Sequence, residues 1–128
     1  MPDYDTLTPE EINRLCAERC GWTLAVINRD PNVFYLVHDG AGDGPFFGSE
    51  EEAWAECPDY CRDRNALPEL LKALTDPSVV FNFSVCLMAA EKRMGWLSVS
   101  RHIVALFALQ ADPKNVAVAF LKATEPAS

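Results

Sequence analysis

Basic charge is scarce in this chain. Eleven Lys and Arg stand against nineteen Asp and Glu, a net of −8 at pH 7 with an isoelectric point near 4.6. Affinity for duplex nucleic acid comes from cations that neutralise phosphates, so this balance argues against a duplex-binding protein. Long apolar runs are missing too. The longest ends at Glu91, Lys92 and Arg93, short of the ~18–20 residues a membrane helix needs. Met1 to Glu10 carries neither the basic segment nor the apolar core of a secretion signal, so a cytoplasmic location is expected. Histidine occurs twice, at His38 and His102. The chain has no GxSxG, no HExxH and no GK[ST]. Cys86 lies in an apolar run, the wrong setting for a reactive thiolate. These gaps point away from an enzyme. Internal repeats and low-complexity segments are also lacking. What remains is 49% hydrophobic and 23% charged over 128 residues, which fits a single domain, residues 1–128, with one real core.

The five cysteines are an odd number for a disulfide framework, and a reducing compartment keeps them as free thiols. Two CxxxC pairs occur, Cys16/Cys20 and Cys57/Cys61. Residues i and i+4 share a helix face, but tetrahedral zinc needs four ligands. The two pairs meet only if residues 16–20 and 57–61 touch. Packing as small buried residues is the favoured role, and no cofactor is expected.

Helix signals are clear at both ends. Thr8-Pro9-Glu10-Glu11 combines an N-cap, a proline at the first helical position and a capping-box glutamate, and Gly21 supplies a stop. A helix over 8–20 follows. Trp22–Ile27 and Val33–Val37 are β-branched and aromatic, joined by the turn-forming Asn28-Arg29-Asp30-Pro31-Asn32, and read as an antiparallel hairpin. His38 to Pro45 reads as a connecting loop. Ser49 caps a short helix over about 50–56. Asp59 or Asp63 begins another that runs through Leu74. Residues 79–93 show helical spacing, although the β-branched start leaves a strand open for 79–86. Trp96 to Leu109 reads as a strand, or two strands joined near Ser100. Asp112-Pro113 opens a last helix striped by Val116, Ala117, Phe120 and Leu121. Met1–Leu7 and Glu125–Ser128 are expected to fray. The sum is an α+β domain, a small antiparallel sheet covered by helices.

The densest chemistry lies in Pro58-Asp59-Tyr60, Asp63 and Asn65, with Arg62 and Arg64 interleaved. Acid, amide, ring and guanidinium groups in eight residues can recognise a nucleotide: a ring stacks on a base and an arginine forks onto phosphate. Trp54 and Phe47 are further stacking candidates, and Arg101 is a further phosphate partner. The competing role of Asp59 and Asp63 is helix capping. A separate feature is the run Glu50, Glu51, Glu52, Glu56 and Asp59, a solvated face or an acidic docking surface.

Three stretches resemble a family of small phage-encoded proteins that share the phage ABA sandwich domain. They are Ala17-Glu18-Arg19-Cys20-Gly21-Trp22, then Trp54 with Pro58-Asp59-Tyr60-Cys61-Arg62-Asp63-Arg64-Asn65-Ala66, and finally Ala111 to Lys122. They cover roughly a third of the chain in the family's order. Arg64, where Leu is usual, Asn115-Val116 and Gly40–Phe47 depart from the pattern. The resemblance implies a three-layer α/β/α sandwich. It also implies a phage anti-defence protein that binds a nucleotide-derived bacterial immune signal, of cyclic oligonucleotide or cyclic ADP-ribose type, and holds it without cleavage. The expected ligand-binding residues are Trp54, Asp59, Tyr60, Arg62, Asp63, Arg64, Asn65 and Arg101. Phe120 is expected in the core. Such a site between subunits implies a homo-oligomer, at least a dimer, in the cytoplasm of an infected bacterium. The alternative is an acidic inhibitor, of anti-CRISPR kind, that blocks a basic nucleic-acid channel of a host defence complex.

Overall fold

The computed structural model describes residues 4–38 and 45–125. Among these are six helices and one two-stranded antiparallel sheet, an α+β fold. Helix α1 spans Pro9–Arg19, β1 Thr23–Ile27, β2 Val33–Val37 and α2 Glu50–Trp54. Helices α3 (Leu67–Lys72), α4 (Pro77–Glu91), α5 (Arg101–Gln110) and α6 (Pro113–Ala123) follow.

The helix starts form where the sequence places caps. The Thr8 hydroxyl accepts from the Glu11 N–H (3.2 Å) while the Glu11 carboxylate accepts from the Thr8 N–H (3.1 Å). Ser49 caps α2, Asp76 caps α4 and Asp112 caps α6, each accepting from a backbone N–H in the first turn. A proline sits in the first turn of α1, α4 and α6, where its missing N–H has no helical partner to lose. Helix α1 ends before Gly21, whose φ of +95° suits only glycine. The hairpin pairs Thr23 with Val37 through Ile27 with Val33. Phe34 adds a bridge to Phe47, which ties the segment before α2 to the sheet.

Helix α6 is the centre of the core. Val116 to Leu121 are all buried, and a helix apolar on every side is stable only when surrounded. It packs against α4, α1, α3 and the 3-10 turn at Tyr4–Thr6. Phe120, expected in the core, is completely buried there. Arg19 fastens the far end of α6: its guanidinium donates to the Leu121 carbonyl, the Thr124 hydroxyl (2.8 Å) and the Tyr4 hydroxyl (3.1 Å). Tyr4 itself is buried, so the segment expected to fray contributes a core side chain.

Two elements differ from the sequence reading, and a third, left open between helix and strand, is a helix. Residues 101–110 form helix α5, not a strand. Ser100 is its N-cap, accepting from the Ile103 N–H, not a bend between strands. Residues 79–86 lie within helix α4. The helix expected from Asp59 or Asp63 through Leu74 is broken into a 3-10 turn, Arg64–Ala66, and α3, with Asp63 capping the turn through the Asn65 N–H (2.9 Å). The expected fraying of residues 1–3 and 126–128, and the loop reading of 39–44, lie outside the described residues. No helix among the described residues is long and apolar enough to cross a membrane.

Candidate functional site

The segment 57–62 folds back onto α1 and is held there by one buried amide. Asn13 donates through Nδ2 to Asp59 Oδ1 (2.9 Å), and its Oδ1 accepts from the Cys61 N–H (3.0 Å). Both polar ends of a side chain only 7% exposed are thereby satisfied. This clamp creates a groove of about 510 Å³ between the first half of α1, the end of α2 and the 57–62 turn. Trp54, Asp59 and Arg62 line it, and they are three of the expected ligand-binding residues. Asn13, Arg14, Glu10, Glu11 and Glu51 complete its walls.

Its electrostatics are mixed. Arg62 pairs with Asp59 (3.2 Å) and lies 3.7 Å from Glu10. Arg14 lies over the Trp54 ring, 4.9 Å from its centroid, while its Nε donates to Glu18 (2.9 Å). The Trp54 indole N–H is buried and has no hydrogen-bond partner. Such a donor costs ~1–3 kcal/mol when left unmet. It is the one buried, unsatisfied side-chain N or O atom among the described residues.

The other five expected residues do not join this groove. Tyr60 faces the opposite way, fully buried, and its hydroxyl donates to Glu69 (2.6 Å). A ring packed in the core cannot stack on a ligand, so the expected stacking role of Tyr60 is corrected to a structural one. Asp63 serves as the cap described above. Arg64 donates to the carbonyls of Leu109 (3.0 Å) and Ala111 (2.7 Å), closing the end of α5. Asn65 lines a second hollow of about 540 Å³ beside Cys20, His38 and Glu69. Arg101 is exposed on the first turn of α5 and lines neither space.

The second hollow contains an arrangement that the sequence did not reveal. The Glu69 carboxylate accepts from Trp22 Nε1 (2.8 Å) and the Tyr60 hydroxyl, and His38 Nε2, 3.3 Å from the Cys20 carbonyl, lies 3.1 Å from that carboxylate. The His38 ring stacks flat on Trp22, with centroids 4.5 Å apart. Cys, His and Glu side by side resemble the parts of a nucleophilic triad, but the chemistry is wrong. Burial, then the nearby Glu69 charge, pushes the Cys20 thiol up to about 12. A thiol held neutral is not a nucleophile at pH 7. Glu69 is a structural acceptor that ties β1, β2, the 57–62 turn and α3 together.

The two CxxxC pairs do meet, because Asn13 clamps the 57–62 turn onto α1. Burial is the main cause of a raised pKa at all four. Cys57 and Cys61 reach about 11, with Asp59 the next cause. Cys16 and Cys61 spend their thiols on the carbonyls of Ala117 and Pro9. Among the described residues no three His, Cys, Asp or Glu side chains converge as metal ligands. The cysteines here act as small core residues.

Comparisons with protein-family models, curated proteins and solved structures found no match to this chain, so the resemblance to the phage ABA sandwich domain rests on its three sequence stretches.

Proposed function

We propose that this protein works by binding and not by catalysis, and that the groove over Trp54 holds a nucleotide-derived signal intact. A groove lined by Trp54, Arg14 and Arg62 carries this reading. The Trp54 ring gives a base an apolar wall, and the guanidiniums offer forks for phosphate. The volume lies within the ~300–1,000 Å³ usual for small-molecule sites. The raised cysteine pKa values support the non-catalytic half of the proposal, because no thiol near either hollow is primed for attack.

Charge narrows the ligand. Glu10, Glu11, Glu51 and Asp59 share the lining with only two arginines. A ligand with two phosphates, such as a cyclic dinucleotide or cyclic ADP-ribose, suits this set better than one with three or more. The test is a thermal-shift screen over cyclic dinucleotides, cyclic trinucleotides and cyclic ADP-ribose isomers. A ligand at a hundred times its Kd adds about 2.7 kcal/mol, several degrees for a domain of this size. A shift with a two-phosphate ligand, recovered unchanged by mass spectrometry, supports the proposal. Recovery of a cleaved product overturns it.

A second reading has its own observation. Glu10, Glu11, Glu50, Glu51 and Glu52, at the starts of α1 and α2, and Glu56, just past α2, are all exposed. Such a face complements a basic nucleic-acid channel and supports the acidic inhibitor of a host defence complex. That reading expects a complex with a basic host protein that high salt dissolves and that E10K/E51K abolishes.

A further inference from the structure

Helix α5 is apolar on both sides. Val104 and Ala108 face the core, while Ile103, Leu106 and Leu109 on the opposite side are 43%, 55% and 62% exposed. The loop leading into the helix adds Met94, Leu97 and Val99, all exposed. Trp96 of that loop stacks flat on Phe107 of α5 (5.1 Å), which holds the loop against the helix. A helix apolar all round is normally buried on every side. From Lys92 to Ala111 the chain contains none of its nineteen acids and three of its eleven basic residues, Lys92, Arg93 and Arg101.

We infer that this face is covered by a second copy of the chain, in a dimer built on α5. The area matches. The six exposed side chains amount to roughly three and a half whole aliphatic residues, on the order of 600 Å² and at the top of what one patch on a monomer shows. A standard interface buries about 800 Å² per partner, of which about 65% is apolar in homodimers, or about 520 Å². The patch supplies that amount without help. Two copies meeting here also bring together two segments, each of residues 92–111, that carry no carboxylate of their own. A bilayer is the poorer occupant: three cations are few for an interfacial helix, and the chain as a whole is strongly acidic. The inference goes beyond the groove, which lies on α1 and α2.

Light scattering coupled to size exclusion, at tens of micromolar protein, tests it. Wild type is expected at twice 14.2 kDa and L106E/L109E at the monomer mass, still folded by circular dichroism but without the rise in melting temperature with protein concentration that a dimer shows. A monomeric wild type overturns the inference. So does a dimer that survives in L106E/L109E, which places the contact elsewhere. Sedimentation with anionic phospholipid vesicles is the companion measurement. Monomeric wild-type protein that pellets with vesicles, with pelleting lost in L106E/L109E, assigns the face to membrane and overturns the dimer.

Discussion

Replacing Trp54 with Phe removes the one unmet buried side-chain donor among the described residues, and its effect on stability follows from opposing terms. The indole side chain is 93% buried. Phe leaves about 40 Å³ empty, a loss of about 1 kcal/mol at the usual cavity cost. Weaker stacking under Arg14 loses a few tenths more. Against this, removing a buried N–H with no partner recovers ~1–3 kcal/mol. The sum is a free protein whose stability lies between a few tenths of a kcal/mol below wild type and about 1.7 kcal/mol above it. Trp54→Ala, by contrast, loses ~3–5 kcal/mol as an ordinary core deletion. Urea unfolding followed by far-ultraviolet circular dichroism measures both, since the tryptophan signal itself changes. A W54F loss above about 2 kcal/mol refutes the reasoning, because it means that the indole N–H is already satisfied in the free protein.

Other outcomes follow from the same physics. Glu69→Ala strips the acceptor from Trp22 and Tyr60; a loss of ~2–4 kcal/mol is expected by urea unfolding, and Tyr60→Phe, which removes one of the two, loses less. The cysteine thiols carry raised pKa values in the fold, so their contribution is complete below the unfolded value near 9 and disappears as pH rises through about 11 to 12. Melting temperature should therefore fall on the alkaline side of pH 9, and Cys57 should react with a thiol reagent at pH 8 about a hundredfold more slowly than a free cysteine. Lys92 ends α4 with φ of 56°, a conformation that disfavours any Cβ. Lys92→Gly should gain about 0.5–1 kcal/mol by the same unfolding assay.

Much of the fold was legible because its signals are local. Thr8-Pro9, Asp76-Pro77 and Asp112-Pro113 each place an oxygen acceptor and a proline where a helix begins, and each begins one. Trp22–Ile27 and Val33–Val37 pair as read. Helix α5 was not legible, because periodicity shows a helix only when one face is polar. Ile103, Leu106 and Leu109 make its outer face apolar, so the helical period disappears into a continuous hydrophobic run.

The site was partly legible for a related reason. Residue type located Trp54, Asp59 and Arg62, and the structure brings them to one groove. Residue type alone does not show the direction in which each of the neighbouring residues faces. The turn that presents Asp59 to the groove turns Tyr60 into the core toward Glu69, nine residues away. Arg64 is consumed by carbonyls of α5, an element that the sequence had assigned to strand. Asn13 and Arg14 were missed, although Glu10, Asn13 and Arg14 share a face of α1 by their i, i+3, i+4 spacing.

The most direct test of the groove is titration calorimetry of the two-phosphate cyclic nucleotides and cyclic ADP-ribose isomers against wild type and W54F in parallel. One-site binding to wild type, weakened at least tenfold in a W54F protein of normal stability, is the predicted result. Equal affinity for both proteins, or heat with neither, contradicts the claim that the Trp54 groove is the binding site.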